Sequence, residues 1–176
     1  MFFHVSIPFI KKLTHTITLH PSFLGPRMRE FVTKRLYKDV EGTCTGRYGY
    51  IVAVVAILDI QTGKIIPGHG SAEFEVKYSA ILFKPFKNEV LDGVVESVNK
   101  LGFVTNAGPF QIFVSGSYIP SDMKLDMNTN PPSFHSDDQK IEKGTLVRIK
   151  IIGTLIDATK ITAIGTIKED YLGVIE

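Results

Sequence analysis

Only one stretch of this chain, residues 27–40, carries apolar residues at helical spacing; in most of the rest they recur at every second position. A helix buries one stripe of side chains and a strand buries alternate ones, so such a chain must build its cores mainly from sheet. In the helical stretch Met28, Phe31, Val32, Leu36 and Val40 share a face, with Arg27, Arg29, Lys34, Arg35 and Lys38 between them. Pro26 suits the first helical position, where no backbone N–H is needed, and Gly42 suits the stop about four turns later.

Around that helix the first half reads as strands. In LTHTITL (13–19), Leu13, His15, Ile17 and Leu19 fall on one face and three threonines on the other. YGYIVAVVAILD is apolar on both faces, which predicts a central strand covered on both sides. KIIP is a short return strand between the turns at 59–63 and 67–71. In AEFEVKYSAILF (72–83), Phe74, Val76, Tyr78 and Ala80 oppose Glu73, Glu75 and Lys77. The order β-α-β-β-β predicts an α+β domain over residues 1–84, one helix on a mostly antiparallel sheet. Lys84-Pro85-Phe86-Lys87 is too short for a flexible linker, so close docking of the two halves is expected.

Residues 85–176 offer five short strands with glycines at the corners: EVLDGVVESV, GFVTNAG, PFQIFV, TLVRIKII and KITAIGTI. That pattern predicts a small all-β barrel. Val147, Ile149 and Ile151 would point inward, leaving Arg148 and Lys150 outside. The stretch 120–142, rich in Asp, Asn, Ser and Pro, reads as a long irregular insertion.

Composition narrows the function. At 44% hydrophobic and 22% charged residues, disorder of the whole chain is excluded. Residues 1–84 hold 11 basic and 6 acidic residues, whereas 85–176 hold 9 and 12, so a nucleic-acid grip on the second half should be weak and local. The lone Cys44 cannot make an internal disulfide, and the five histidines show no metal-ligand spacing, so neither a metal nor a cofactor is expected. The longest apolar run, Tyr50 to Leu58, is too short for a membrane helix, and MFFHVSIPFIKK lacks the flanks of a signal peptide. Neither a phosphate-binding loop nor a nucleophile elbow is present, and no set of residues supports catalysis.

Several segments carry a resemblance. GVVESVNKLGFVTNAGPFQIFV (93–114) resembles the opening of an S1-type OB-fold domain. ITLHPSFLGPRM (17–28), HGSAEFEVKYSA (69–80), FKPFKNEVLDG (83–93), TNPPSF (129–134) and AIGTIKEDYLG (163–173) occur in order along nearly the whole chain. Together they resemble the stalk-subunit family of archaeal and eukaryotic RNA polymerases, which includes the seventh-largest subunit of RNA polymerase II. The resemblance implies a truncated RNP-like tip domain followed by an S1-type OB barrel. It implies a non-catalytic subunit, nuclear, paired with the fourth-largest subunit. It would dock on the polymerase core near the clamp and the sixth subunit, and touch single-stranded nascent RNA. The ending AIGTIKEDYLG favours the polymerase II version.

The same resemblance marks candidate sites. S1 domains grip RNA with stacked aromatics flanked by basic residues. Here those positions fall on Leu101, Val104 and Ser115, all departures from the pattern. Lys100, Phe103, Ser115, Arg148 and Lys150 remain as RNA-contact candidates, with Lys160 as a further phosphate contact. Phe103, Phe110 and Phe113 read first as barrel core, and Arg148 and Lys150 are open to a merely solvated role. For docking, the stiff turn Pro21, Phe23, Leu24, Gly25 and Pro26 and the loop Lys64, Ile65, Ile66 and Pro67 are expected to face the core, and the basic helix face a protein partner. A free-standing S1-type RNA-binding module is the competing reading, and the acidic barrel counts against it.

The first half carries more apolar strand surface than one helix can cover. The isolated chain is therefore expected to be poorly soluble and to be rescued by co-expression with its partner subunit. Size-exclusion chromatography of both preparations checks this, and a monodisperse monomer at high concentration would contradict it.

Overall fold

A computed structural model describes residues 8–175. His4 and the start of the segment weighed as a signal peptide lie outside the described residues. The chain forms two compact units, divided between Phe83 and Lys84.

In the first unit the elements are β1 (Phe9–Leu19), α1 (Met28–Val40), β2 (Cys44–Thr45), β3 (Gly49–Ile60), β4 (Lys64–Ile65) and β5 (Ala72–Phe83), with a 3-10 turn at Pro21–Phe23. The sheet runs β1-β5-β3-β2, and β4 also pairs with β5. All pairings are antiparallel. β1 lies along β5 over its full length, from Phe9 opposite Leu82 to Leu19 opposite Ala72. The alternation of β5 sends Ala72, Phe74, Val76, Tyr78, Ala80 and Leu82 into the core, where α1 supplies Val32, Leu36 and Val40. Burial pushes the Tyr78 phenol pKa above its usual value. Truncating fully buried Leu36 to alanine should cost about 2–5 kcal/mol.

Two sequence expectations need correction here. The helix begins at Met28, not Pro26: the Met28 N–H donates to the Gly25 carbonyl at 2.9 Å, which holds Pro26 in a turn. It ends on schedule, with Gly42 at φ +74°. More important, β3 is not covered on both sides. Its register against β5 slips between Ile51 and Ala53, between Val54 and Ala56, and between Ile57 and Asp59. Each slip is a bulge that sets one extra residue against the partner strand. Three in a row turn the period of two into a period of three. Ile51, Val54, Ile57 and Ile60 pack towards the core, while the skipped residues Val52, Val55 and Leu58 are about half exposed. Beyond Ile51 no strand among the described residues lies beside the outer edge of β3. There the Val54 N–H is satisfied by the Glu41 carboxylate at 2.9 Å.

The second unit contains β6 (Val90–Asn99), β7 (Gly102–Ala107), β8 (Phe110–Ser115), β9 (Lys124–Asp126), β10 (Ser133–His135), β11 (Lys140–Ile141), β12 (Leu146–Ile156), β13 (Ile161–Thr166) and β14 (Gly173–Val174). The order β13-β8-β7-β6-β12, with β12 returning to β13, closes a five-stranded barrel. β13 and β8 run parallel, and the other barrel pairs are antiparallel. Phe103, Phe110, Ile112, Val114, Val147, Ile149, Ile151 and Ile161 fill it. The segment 120–142, read as irregular from its composition, is irregular over most of its length but carries the small sheet β11-β10-β9. Met123, Phe134 and Ile141 are buried there, and the Phe134 ring meets Phe103 edge-on at 6.4 Å.

Gly93, Gly102 and Gly165 are tight points of the barrel where a side chain would collide with a neighbouring strand, and Gly102 is the tightest. Gly102 has φ +148°, and a side chain there would run into the Val114 carbonyl of the neighbouring strand. Gly108, in the β7–β8 turn at φ +61°, has open space around it. Gly102→Ala should cost about 3 kcal/mol. Gly108→Ala should cost about 1 kcal/mol, for its backbone conformation alone. Urea unfolding of both variants checks the ranking.

Candidate functional site

Two loops meet at one end of the first unit. In the first, the Phe23 N–H donates to the His20 carbonyl at 3.0 Å and the Leu24 N–H to the Pro21 carbonyl at 3.1 Å, which closes the 3-10 turn. His20 Nδ1 accepts from the Ser22 N–H at 3.3 Å, adding a side-chain cap. The Phe23 ring rests 5.0 Å from Phe31 of α1, yet Phe23 is 44% exposed and Leu24 37%. The turn is thus fixed from beneath while its apolar side chains face outward. In the second loop, Gln61 bonds Glu75 through both backbone and side chain, and the Ile66 N–H donates to the Ser71 carbonyl at 2.8 Å. Gly68 and Gly70 take positive φ to turn the chain back.

The two loops touch: a Cβ on Gly70 would stand 3.3 Å from the Pro21 ring. Pro21, Phe23, Leu24, Gly25 and Pro26 are all exposed, as are Lys64, Ile65 and Pro67; Ile66 is half-buried. Ile65 is 71% exposed. The two segments expected to dock thus approach each other at Pro21 and Gly70, and both carry exposed apolar side chains. Such anchors, held in place before contact, lose little entropy on binding.

The barrel offers a second surface. Register places Val104 opposite Phe113, and Phe113 beside Ile164, and these three half-buried side chains form an outer apolar strip. Ser115 lies two residues beyond Phe113 on the same strand. Next to the strip, Asn99 Oδ1 accepts the N–H groups of Leu101 at 2.9 Å and Gly102 at 3.1 Å, so the turn holding exposed Lys100 and Leu101 is well defined.

Phe103 is completely buried, in keeping with its reading as barrel core, and as an RNA-contact candidate it offers no stacking face. Phe113, grouped with the core by composition, lies on the outside instead. Its position was legible: Phe110, Ile112 and Val114 take the inward places of β8, which leaves Phe113 outward.

The expected phosphate contacts are internally engaged. Arg148 sits directly across from Asp92 and makes a bidentate pair at 2.7 and 2.9 Å. That hydrogen bond, and then the Asp92 charge, raise the Arg148 pKa. Lys150 Nζ holds both oxygens of Glu169, at 2.9 and 2.8 Å. Lys160 Nζ donates to Gln111, whose amide donates to Glu96 at 2.8 Å. A cation already paired attracts a phosphate less than a free one, though exposed pairs of this kind are worth only about 0–1 kcal/mol and open readily.

Among the described residues no group of three or more His, Cys, Asp and Glu is placed to hold a metal, and no helix is long and apolar enough to cross a membrane.

Comparison with known proteins accounts for both units. Residues 14–70 match the SHS2 domain found in the N terminus of Rpb7p and Rpc25p. Residues 84–162 match the S1 RNA binding domain. The chain is 54% identical over 169 residues to DNA-directed RNA polymerase II subunit rpb7 of Schizosaccharomyces pombe, covering 95% of this chain and 98% of that protein. It is 48% identical over 169 residues to subunit RPB7 of Saccharomyces cerevisiae, covering 95% and 99%. A more distant likeness, 28% over 162 residues, links it to DNA-directed RNA polymerase subunit Rpo7 of Sulfolobus acidocaldarius, covering 91% and 88%. The order of the two domains and the near-complete coverage of both chains agree: this protein belongs to the Rpb7 family of RNA polymerase II subunits.

Proposed function

We propose that this chain is a non-catalytic stalk subunit of nuclear RNA polymerase II. It pairs with the fourth-largest subunit, docks on the polymerase core near the clamp and the sixth subunit, and makes a weak contact with nascent single-stranded RNA. The observation that carries the docking part is the approach of Gly70, which closes the loop holding Lys64–Pro67, to Pro21 of the neighbouring turn, with exposed apolar side chains on both segments. For the heterodimer, the strip of Val52, Val55 and Leu58 beside the open edge of β3 is a fitting second patch, because the core beneath it is already complete.

RNA contact rests on the barrel strip. Phe113 supplies a ring where Val104 and Ser115 depart from the S1 pattern, and Lys100 supplies a nearby charge. Because Arg148 and Lys150 are paired with carboxylates, the grip is weak and tolerant of sequence.

Affinity purification of the tagged chain from its native cells tests the assembly. The wild type is expected to bring down the fourth-largest subunit together with the polymerase core. Phe23→Ala combined with Ile65→Ala is expected to lose the core and keep the fourth-largest subunit. Recovery of RNA or ribosomes without polymerase would overturn the reading in favour of a free-standing RNA-binding module. For RNA, Phe113→Ala in the heterodimer should cost about 1–3 kcal/mol, the usual range for one lost stacking partner. Asp92→Asn, which removes the carboxylate held by Arg148, should tighten binding and steepen its salt dependence by about 0.7 in the log–log slope. Fluorescence anisotropy with a single-stranded RNA across salt concentrations checks both.

A further inference from the structure

A groove of about 350 Å³ lies beside α1, lined by Thr18, Leu19, His20, Phe23, Phe31, Lys34, Arg35 and Lys38. Its apolar part is the Phe23–Phe31 ring pair with Leu19 at the end of β1. Its charged rim has one sign. No carboxylate lines it, and among the described residues Lys34 and Lys38 have no acidic partner. Arg35 uses its Nε on Asp39 at 2.9 Å. The groove on the opposite flank of α1 differs in this respect, since Glu30 and Asp59 line it together with Arg29 and Lys34.

We infer that the groove on the Phe23–Phe31 side seats an acidic polypeptide segment from another polymerase subunit, with one bulky apolar side chain on the rings and flanking carboxylates on Lys34 and Lys38. The inference rests on the stalk reading above and adds to it a site with a stated partner chemistry. Three observations support it. Lys34 and Lys38 are one turn apart, so their ammonium groups can bracket the carboxylates either side of a single anchor. The apolar floor is a single pair of packed rings tilted at 58°, an anchor point for one side chain and not the row of parallel faces on which successive bases stack. The first half of the chain carries a net positive charge, which favours encounter with an acidic partner.

The test places the photoreactive residue p-benzoylphenylalanine at Arg35, an exposed position of α1 that lines the groove. The full chain is expressed in its native cells and purified as assembled polymerase. It is then irradiated, and the crosslinked peptide is mapped by mass spectrometry. The expected product joins position 35 to a subunit segment with excess Asp and Glu around an aliphatic or aromatic residue. Lys34→Glu with Lys38→Glu should lower its yield by about tenfold, a change of about 1.4 kcal/mol. Lys34→Gln with Lys38→Gln should fall between that variant and the wild type. Both pairs lie on the exposed face of the helix, and circular dichroism confirms that the fold is kept. A crosslink to RNA, to a basic or uncharged segment, or to nothing overturns the inference while the purified polymerase leaves the stalk reading standing. A crosslink indifferent to charge reversal overturns it as well. Absence of polymerase from the purified material overturns both.

Discussion

Everything in the first domain depends on one file of side chains along β5. Ala72, Phe74, Val76, Tyr78, Ala80 and Leu82 are all 3% exposed or less, and they meet α1 on one face of the sheet. β1 pairs with this strand over its whole length on one side, and β3 and β4 share the other side. A slip of one residue in β5 would send the file to solvent, so its alternation fixes the register of the sheet. The docking surface inherits that order, because its two loops leave the ends of β1 and β3 and return at α1 and β5.

How much was legible follows from the same physics. Strict alternation specified β1, β5 and the inward residues of β12, because burial on one face leaves a pattern that nothing else produces. Helix α1 was legible from Val32, Leu36 and Val40, but its start was not. Pro26 is compatible with either a first turn or a preceding loop, and only the bond from Met28 to Gly25 decides between them. Strand β3 misled for a different reason. A strand apolar at nearly every position looks covered on both faces, and bulges leave no mark in composition. Segment 120–142 misled because polar residues outnumber Met123, Phe134 and Ile141, although those three do the packing.

The candidate sites divide in the same way. The tip residues follow from segments rather than from periodicity, and the fold brings both segments to one end of the sheet. On the barrel, sequence could assign charge but not pairing. Asp92 lies 56 residues from Arg148 and is its direct neighbour across the sheet. Glu169 likewise reaches Lys150 from beyond β13. Partners so distant in sequence become visible only once register is known.

The bulges of β3 also bear on which changes of length the strand can absorb. β3 holds three residues more than a regular ladder opposite β5 would require, one at each slip. Losing Val52, Val55 or Leu58 would erase one bulge and restore ordinary pairing there without moving the core residues on either side. Losing Ile51, Val54 or Ile57 would instead draw an outward residue into the core or leave a hole. Deletions in this strand are thus sorted by position modulo three, a rule of spacing unrelated to the hydrophobicity of the residue removed.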